Sequence, residues 1–202
     1  THDPVVAKQG DTYYLFCTGP GITSFTSKDL KIWTQADPVF AEQPTWAKEV
    51  APGFNGHIWA PDITLHNGTY YLYYSISAFG KNTSAIGLVI NKTLNPKDEN
   101  YKWEDKGIVI QSVPNRDMWN AIDPNLIFDE EGTPWLSFGS FWSGLKMVKL
   151  KDDLKTIAEP QEWYPIASRE RSPNLPDADA GDAALEGPFI FKKDDYYYQF
   201  LS

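Results

Sequence analysis

The segment MWNAIDPNLIFDEEGTPWLSFGSFWSG, residues 118–144, decides the fold. It places Asp123-Pro124 just before a short apolar run, Leu126-Ile127-Phe128. An acidic turn that ends in Gly132 separates this run from a second one, Trp135-Leu136-Ser137-Phe138. Two such runs joined by a glycine-containing turn predict a β-hairpin. A carboxylate at the mouth of a hairpin could be structural or catalytic, and this segment alone leaves both roles open.

The same layout occurs four times along the chain. In each copy an acid lies near a proline, an apolar run follows, and a polar turn leads into a second apolar or aromatic-rich run. The four acids are Asp3, Asp62, Asp123 and Glu186, at spacings of 59, 61 and 63 residues. Repeats of this length with several strands each predict a β-propeller or a similar radial array.

Later parts of the repeat recur as well. Third strands are predicted at 22–26, 86–90 and 145–150, and convincing helical periodicity is absent. A polar turn follows each of them, and then a tryptophan that we assign to an outer fourth strand: Trp33, Trp103 and Trp163. Four antiparallel strands form one propeller blade. The sequence therefore predicts an all-β protein in which residues 1–202 form a single propeller domain, with blade repeats that start near residues 3, 62, 123 and 186.

Propeller geometry brings the four acids together. The first strand of each blade lines the central axis, so equivalent positions in successive blades converge on one cavity. Acids are rarely buried without a partner, and like charges held close shift one another's pKa values. A single acid of this kind would most simply hold a turn by accepting hydrogen bonds. A ring of them favours a catalytic centre.

The fourth repeat stops after its hairpin, at Ser202, and the first begins two residues before Asp3. An open array of three and a half blades would leave unpaired strand edges. We therefore expect a C-terminally incomplete propeller, either a fragment or a chain that a second polypeptide completes.

Composition narrows the function. The net charge of −9 and the pI near 4.8 argue against nucleic acid and against an anionic membrane as partners. Aromatic residues make up 15% of the chain, which suits β-structure or a carbohydrate-binding surface. The lone Cys17 has no partner for an internal disulfide, and we expect it to be a small buried side chain.

Several motifs resemble glycoside hydrolase family 43, and within it the endo-α-1,5-L-arabinanases. They occur in order at propeller spacing and cover essentially the whole chain: His2-Asp3-Pro4, His57-Ile58-Trp59-Ala60-Pro61-Asp62, Ser77-Ala78-Phe79-Gly80 with Ser84-Ala85-Ile86-Gly87, Asn120-Ala121-Ile122-Asp123-Pro124, Phe138-Gly139-Ser140-Phe141-Trp142 and Leu185-Glu186-Gly187-Pro188. The resemblance implies a five-bladed propeller, of which this chain holds about three and a half blades.

The chemistry implied by the resemblance is inverting hydrolysis with three carboxyl groups. Asp3 would be the general base that activates water, and Glu186 the general acid that protonates the leaving oxygen. Asp123 would orient Glu186 and tune its pKa. Inverting glycosidases hold their two carboxyl groups about 6.5–9.5 Å apart to admit a water. The resemblance gives Asp62 no catalytic role, and we expect it to hold backbone at the centre of the propeller.

Sugar contacts are expected from a second set of residues. The substrate-binding candidates are Trp59, Phe79, Asn120, Ile122 and Ser140. Asn125, Trp119 and Trp142 are weaker candidates, and we interpret the two tryptophans mainly as packing or rim residues. The leading prediction is an endo-arabinanase. The alternatives are an exo-acting α-L-arabinofuranosidase or β-xylosidase of the same fold, and an inactive carbohydrate-binding propeller.

The resemblance also implies partners and surroundings. The expected partner is arabinan or an arabino-oligosaccharide. A central Ca²⁺ is implied, but the histidine expected to bind it lies outside this sequence, so no direct metal ligand is predicted here. An enzyme that degrades plant cell-wall polysaccharide is expected to be extracellular or periplasmic, with an intracellular location left open.

Overall fold

The fold is almost entirely β-structure. A computed structural model describes all residues 1–202, and its only helix is the four-residue α1, Ala47–Val50. The strands are β1 (Val5–Gln9), β2 (Thr12–Cys17), β3 (Gly19–Pro20), β4 (Thr23–Ser27), β5 (Thr34–Ala36), β6 (His57–His66), β7 (Thr69–Ile76), β8 (Ser84–Asn91), β9 (Glu104–Ser112), β10 (Asn125–Phe128), β11 (Pro134–Phe138), β12 (Leu145–Lys149), β13 (Tyr164–Ala167), β14 (Phe189–Lys193) and β15 (Tyr196–Phe200).

The strands form three antiparallel blades and one further hairpin. Blade 1 has the order β1-β2-β4-β5, and blade 3 the order β10-β11-β12-β13. Blade 2 contains β6-β7-β8-β9 and gains the two-residue strand β3, which crosses from blade 1 to pair with β6. Strands β14 and β15 form the hairpin, here named blade 4. The first strands β1, β6, β10 and β14 contact one another in that order, which places them around a common centre.

Most of the predicted strands are present. The hairpin expected within residues 118–144 is β10 and β11, and the three predicted third strands are β4, β8 and β12. The three tryptophans differ slightly from the prediction. Trp33, Trp103 and Trp163 each lie one residue before the outer strand to which the sequence assigned them. They therefore lead into the fourth strands rather than lying within them.

Two apolar clusters join the blades face to face. Strand β7 separates them, because alternate side chains of a strand point to opposite faces of the sheet. Leu72, Tyr74 and Ile76 pack into the cluster shared with blade 1, whereas Tyr73 packs into the cluster shared with blade 3. All four are fully buried, and burying an aliphatic side chain such as Leu72 or Ile76 contributes about 1.5–3 kcal/mol. This packing fixes how the first strands sit relative to one another.

The repeat has a different register from the one that the acids suggest. In every blade a residue with positive φ directly precedes a proline, just before β1, β10 and β14 and at the irregularity inside β6. These residues are Asp3 (φ 47°), Ala60 (φ 40°), Asp123 (φ 55°) and Gly187 (φ 61°). Asp62 therefore does not occupy the position of Asp3 and Asp123, as the acid spacing implied; it lies two residues later. Positive φ is uncommon outside glycine. Here it changes the direction in which the side chain before the proline points.

No helix of the structure is long and apolar enough to cross a membrane.

Candidate active site

The four acids of the repeat line one cavity. It has a volume of about 300 Å³, and its wall consists of the entrances of the four first strands. Asp3, Asp62, Asp123 and Glu186 all contribute to the wall, together with the prolines that follow the positive-φ residues. The convergence predicted from propeller geometry is thus present. The acids differ in their surroundings, because each is held by different donors.

One oxygen of Asp3 is held and the other is left free. The Thr18 hydroxyl donates to Asp3 Oδ2 at 2.6 Å, and His2 Nδ1 lies 2.8 Å from the same atom. The hydrogen bond with Asp3, followed by the charge of its carboxylate, raises the pKa of His2. The Thr18 hydroxyl also accepts the backbone N–H of Ala60 at 2.9 Å, which connects Asp3 to blade 2. No group of the chain donates to Asp3 Oδ1, so this atom can take a proton from a water molecule.

Glu186 is exposed and is positioned by blade 3. The Ser140 hydroxyl donates to Glu186 Oε2 at 3.2 Å, and the backbones of the two residues form an isolated antiparallel bridge. The backbones of Glu186 and Ser202 exchange two hydrogen bonds, at 3.1 and 3.0 Å. These contacts fix the backbone of Glu186, and its side chain lines the cavity.

Asp123 is held by hydrogen bonds to blades 2 and 4, and its pKa is raised. Its Oδ2 accepts the N–H of Gly187 at 3.0 Å, and its own N–H donates to the Ser75 hydroxyl at 3.0 Å. Burial, and then the charge of Glu186, raises the pKa of Asp123 to about 7. When two acids interact in this way, a proton belongs to the pair rather than to one residue. The site can therefore hold a transferable proton near neutral pH.

Asp62 lines the cavity and also joins blades 2 and 3. Its Oδ2 accepts the N–H of Leu126 from blade 3 at 2.9 Å, and burial raises its pKa to about 6. Asn125 occupies the equivalent position in blade 3 and accepts the N–H of Ile190 from blade 4 at 2.8 Å. The predicted structural role of Asp62 is confirmed, and Asn125 repeats it one blade later.

Comparison with known proteins gives the family. The family model for glycosyl hydrolases family 43 matches residues 1–202. The chain belongs to this family. It is 62% identical over 201 residues to an extracellular exo-α-(1→5)-L-arabinofuranosidase of Cellvibrio japonicus, covering 100% of this chain and 58% of that protein. It is 40% identical over 205 residues to an extracellular endo-α-(1→5)-L-arabinanase of Bacillus subtilis, with the same two coverages.

Solved structures show the same fold. A Cellvibrio cellulosa α-L-arabinanase superimposes with a TM-score of 0.97 at 62% identity, over 99% of this chain and 64% of that one. An exo-1,5-α-L-arabinanase from a bovine ruminal metagenomic library gives a TM-score of 0.91 at 53% identity, over 99% and 63%. The predicted all-β, five-bladed propeller is confirmed, and this chain holds only part of it. It spans 58% of the length of the two curated relatives above.

The residues predicted to contact sugar in this family 43 chain lie outside the wall of the acid cavity. Ser140 contacts Glu186, but Trp59, Phe79, Asn120 and Ile122 do not line the cavity. Trp59 is half-buried at the start of β6, and Phe79 is 95% exposed in the loop after β7. Asn120 and Ile122 are buried, and Asn120 Oδ1 has no hydrogen-bond partner. Their roles toward a sugar stay predictions.

The weaker candidates have structural contacts. Trp119 and Trp142 are buried, and Trp142 Nε1 donates to the Asp177 carbonyl at 2.9 Å, so both pack as expected. Cys17 is buried as expected. No cluster of three or more His, Cys, Asp or Glu side chains in residues 1–202 is arranged to hold a metal ion.

Two hydroxyls at the centre were not predicted from the sequence. Thr18 and Ser75 occupy equivalent positions at the ends of the second strands in blades 1 and 2. Each accepts the N–H of the positive-φ residue in the next blade, Ala60 and Asp123 respectively. Blade 3 has Gly139 at this position and offers no hydroxyl. Aligning the repeats on their prolines would have revealed this pattern.

Proposed function

We propose that this family 43 chain supplies the catalytic carboxyl groups of an inverting glycoside hydrolase that cleaves α-1,5-L-arabinofuranosidic linkages in arabinan. One observation carries the proposal. Three carboxyl groups, on Asp3, Asp123 and Glu186, line a single cavity, and each is held by a different set of donors. The names of the related proteins supply the sugar and the linkage.

Asp3 acts as the general base in this proposal. Thr18 and His2 hold its Oδ2, so that Oδ1 points its lone pairs at the water that attacks the anomeric carbon. The water gives one proton to Asp3 and forms the new bond to that carbon. Attack from the face opposite the leaving group inverts the configuration of the sugar.

Glu186 acts as the general acid. It gives its proton to the glycosidic oxygen as the bond to the anomeric carbon breaks, so that a neutral hydroxyl departs. The Asp123 carboxyl group supports this step because the proton of the pair is retained to a pH near 7. Ser140 keeps Glu186 turned toward the cavity through the contact to Oε2.

Two modes of attack have support. The sequence motifs at Ser77–Gly80 and Gly139–Trp142 favour endo action, in which internal linkages of arabinan are cut. The names of two relatives, 62% and 53% identical, favour exo action, in which short products leave one end of the chain. Arabinan is the proposed substrate in both cases, since a solved relative with 62% identity was studied with arabinohexaose. Secretion is proposed because two relatives are named as extracellular.

The proposed reaction does not depend on calcium. It is implied by resemblance alone, and the residues described here provide no ligand cluster for it. No step above uses a metal ion. The completing part of the propeller, whether in the same polypeptide or a second one, would have to supply its protein ligand.

Product analysis on debranched linear arabinan tests the proposal. The natural full-length protein is expected to release arabino-oligosaccharides, and NMR of the first product should show the inverted anomer. A spread of oligomers indicates endo action, whereas a single short product indicates exo action. Glu186→Gln should lower turnover by at least about 10²-fold while leaving the thermal unfolding curve in place. Glu131→Gln, on an exposed turn, is the matched control. Retained activity in Glu186→Gln, or no product from the natural protein, would refute the proposal.

A further inference from the structure

A second cavity lies between blades 1 and 2, away from the acids. Its volume is about 620 Å³, and it shares no lining residue with the acid cavity. Strands β2, β4 and β5 form one wall, and the segment between β8 and β9 forms the other. Small-molecule sites in proteins commonly occupy about 300–1,000 Å³, so this cavity has the size of a binding site.

A tyrosine hydroxyl in this cavity has no partner. Tyr14 is only 8% exposed, lines the cavity, and forms no side-chain hydrogen bond within the chain. This hydroxyl is not among the buried side-chain atoms that lack a hydrogen-bond partner, so it faces the open cavity, where water or a ligand can satisfy it. The Tyr14 hydroxyl therefore marks a position where a ligand group can donate or accept.

The remaining wall combines aromatic rings with polar groups. Trp103 Nε1 donates to the Tyr101 hydroxyl at 3.1 Å, which leaves the Tyr101 proton available to a ligand. Gln35 and Asp37 add an amide and a carboxylate that no side chain of the protein engages. Sugars present apolar C–H faces beside hydroxyl groups, and this is the pairing that an aromatic and polar wall can recognise.

The charge of the wall limits the ligand further. The lining contains the Asp37 carboxylate and no lysine or arginine, and the chain carries a net charge of −9. Phosphorylated or uronic-acid ligands would be repelled, because like charges held close cost energy. We infer that the cavity between blades 1 and 2 is a second carbohydrate-binding site, which holds a neutral arabino-oligosaccharide away from the catalytic cavity. The choice of arabinose, although not the site itself, rests on the proposed function.

Calorimetric titration with arabinohexaose tests this site. The natural full-length protein carrying Glu186→Gln is the parent, so that the probe is not consumed. We expect two binding events per chain in the parent and one after Asp37→Ala/Tyr101→Phe, with affinity at the lost site reduced at least tenfold. Tyr14→Phe should weaken the same event by several-fold. The matched control is Asp152→Ala/Tyr13→Phe, which should retain both events. Asp152 is exposed, and Tyr13 lies on the opposite face of β2 from Tyr14.

The outcomes separate this site from the catalytic proposal. A single event that survives the Asp37→Ala/Tyr101→Phe change, or two events that both survive it, would overturn the second site. Binding that is lost with Asp37→Ala/Tyr101→Phe, in a natural protein that releases no product from arabinan, would support the second site and overturn the proposed catalysis. Thermal unfolding of each variant shows whether a lost event reflects a lost fold.

Discussion

The hydroxyl of Thr18 donates to Oδ2 of Asp3 at 2.6 Å while it accepts an N–H from the neighbouring blade. One side chain thus orients the proposed base and joins blades 1 and 2. Thr18→Val should lower kcat about 10–100-fold, a part of the roughly 10²–10⁴-fold that a positioned acid or base contributes. KM should change little, since Thr18 is not among the residues that line the cavity.

A conservative change separates positioning from packing. Thr18→Ser keeps the hydroxyl and should restore most of the activity. Thr18→Val should also cost about 1 kcal/mol of stability, because the Ala60 N–H loses its acceptor. Steady-state kinetics and urea unfolding measure the two effects. If Thr18→Val turns over as fast as the natural protein, the hydrogen bond to Asp3 does not orient the base.

Asp123 should set the alkaline limit of activity. Burial and the charge of Glu186 raise the pKa of Asp123 to about 7, so the pair keeps a proton below that pH and loses it above. The rate constant kcat/KM should therefore fall about tenfold per pH unit once the pH exceeds about 7. Asp123→Asn removes the group to which this pKa belongs, so the alkaline limb near pH 7 should be lost.

A pH–rate profile on a soluble arabino-oligosaccharide checks this. The amide introduced by Asp123→Asn is nearly the same size as the carboxyl group, and its oxygen can still accept the Gly187 N–H. A change in the profile would therefore report charge rather than shape. An alkaline limb that stays in place after Asp123→Asn would contradict the proposed coupling to Glu186.

Asp62 is expected to make stability depend on pH. Its pKa is about 6 in the folded state, above the ordinary 3.8, so the folded protein binds this proton more tightly. The stabilising effect is complete below about pH 4 and is lost as the pH rises to about 6. A difference of about two pKa units corresponds to up to about 3 kcal/mol. Unfolding free energy should accordingly decrease over this range.

Asp62→Asn should remove that dependence. Asn125 already accepts the equivalent N–H at the next blade, which shows that an amide suits the position. At about pH 7 the variant should be more stable than the natural protein, and at about pH 4 the two should be nearly equal. Urea titrations at both pH values measure this. Equal destabilisation at both would mean that the Leu126 hydrogen bond requires a carboxylate.

The fold could be predicted where the sequence repeats. Residues 118–144 identify β10 and β11 because two apolar runs flank a glycine turn, and the same argument works in blades 1 and 2, where the turns contain Gly10 and Gly68. Strand β3 could not be predicted, since two residues, Gly19–Pro20, have no periodicity, and their pairing with β6 is a contact between blades. The formation of β3 depends on this tertiary contact and not on the local sequence.

The acids of the site could be predicted from the sequence, but the side chains that position them could not. Asp3, Asp123 and Glu186 converge as expected because propeller geometry brings first strands together. The position of Asp62 was misassigned because acids rather than prolines were aligned, and the backbone requires Ala60 to take the positive φ. Thr18 and Ser75 were missed because a single hydroxyl at a strand end is common in any β-sheet. An alignment on the prolines, rather than on the acids, places them at the same position of the repeat.

Phe79 is expected to contribute to substrate binding and not to the stability of the fold. It is 95% exposed, and its loop follows β7 at the end where the Ser75 hydroxyl meets the Asp123 N–H. The ring therefore lies at the same end of blade 2 as the acids. Phe79→Ala should raise KM for arabinohexaose about 2–10-fold, the effect of losing a ring contact worth roughly 0.5–1.5 kcal/mol. If the contact persists unchanged into the transition state, kcat should stay the same.

A matched exposed side chain provides the control for Phe79. Ile32 is 74% exposed in the turn between β4 and β5, and Ile32→Ala should leave both KM and kcat unchanged. Both variants should unfold within about 0.5 kcal/mol of the natural protein, since neither side chain is packed. A raised KM in Phe79→Ala alone would place the ring on the path of the sugar chain. An unchanged KM would remove Phe79 from the substrate-binding residues and leave its exposed ring without a role in catalysis.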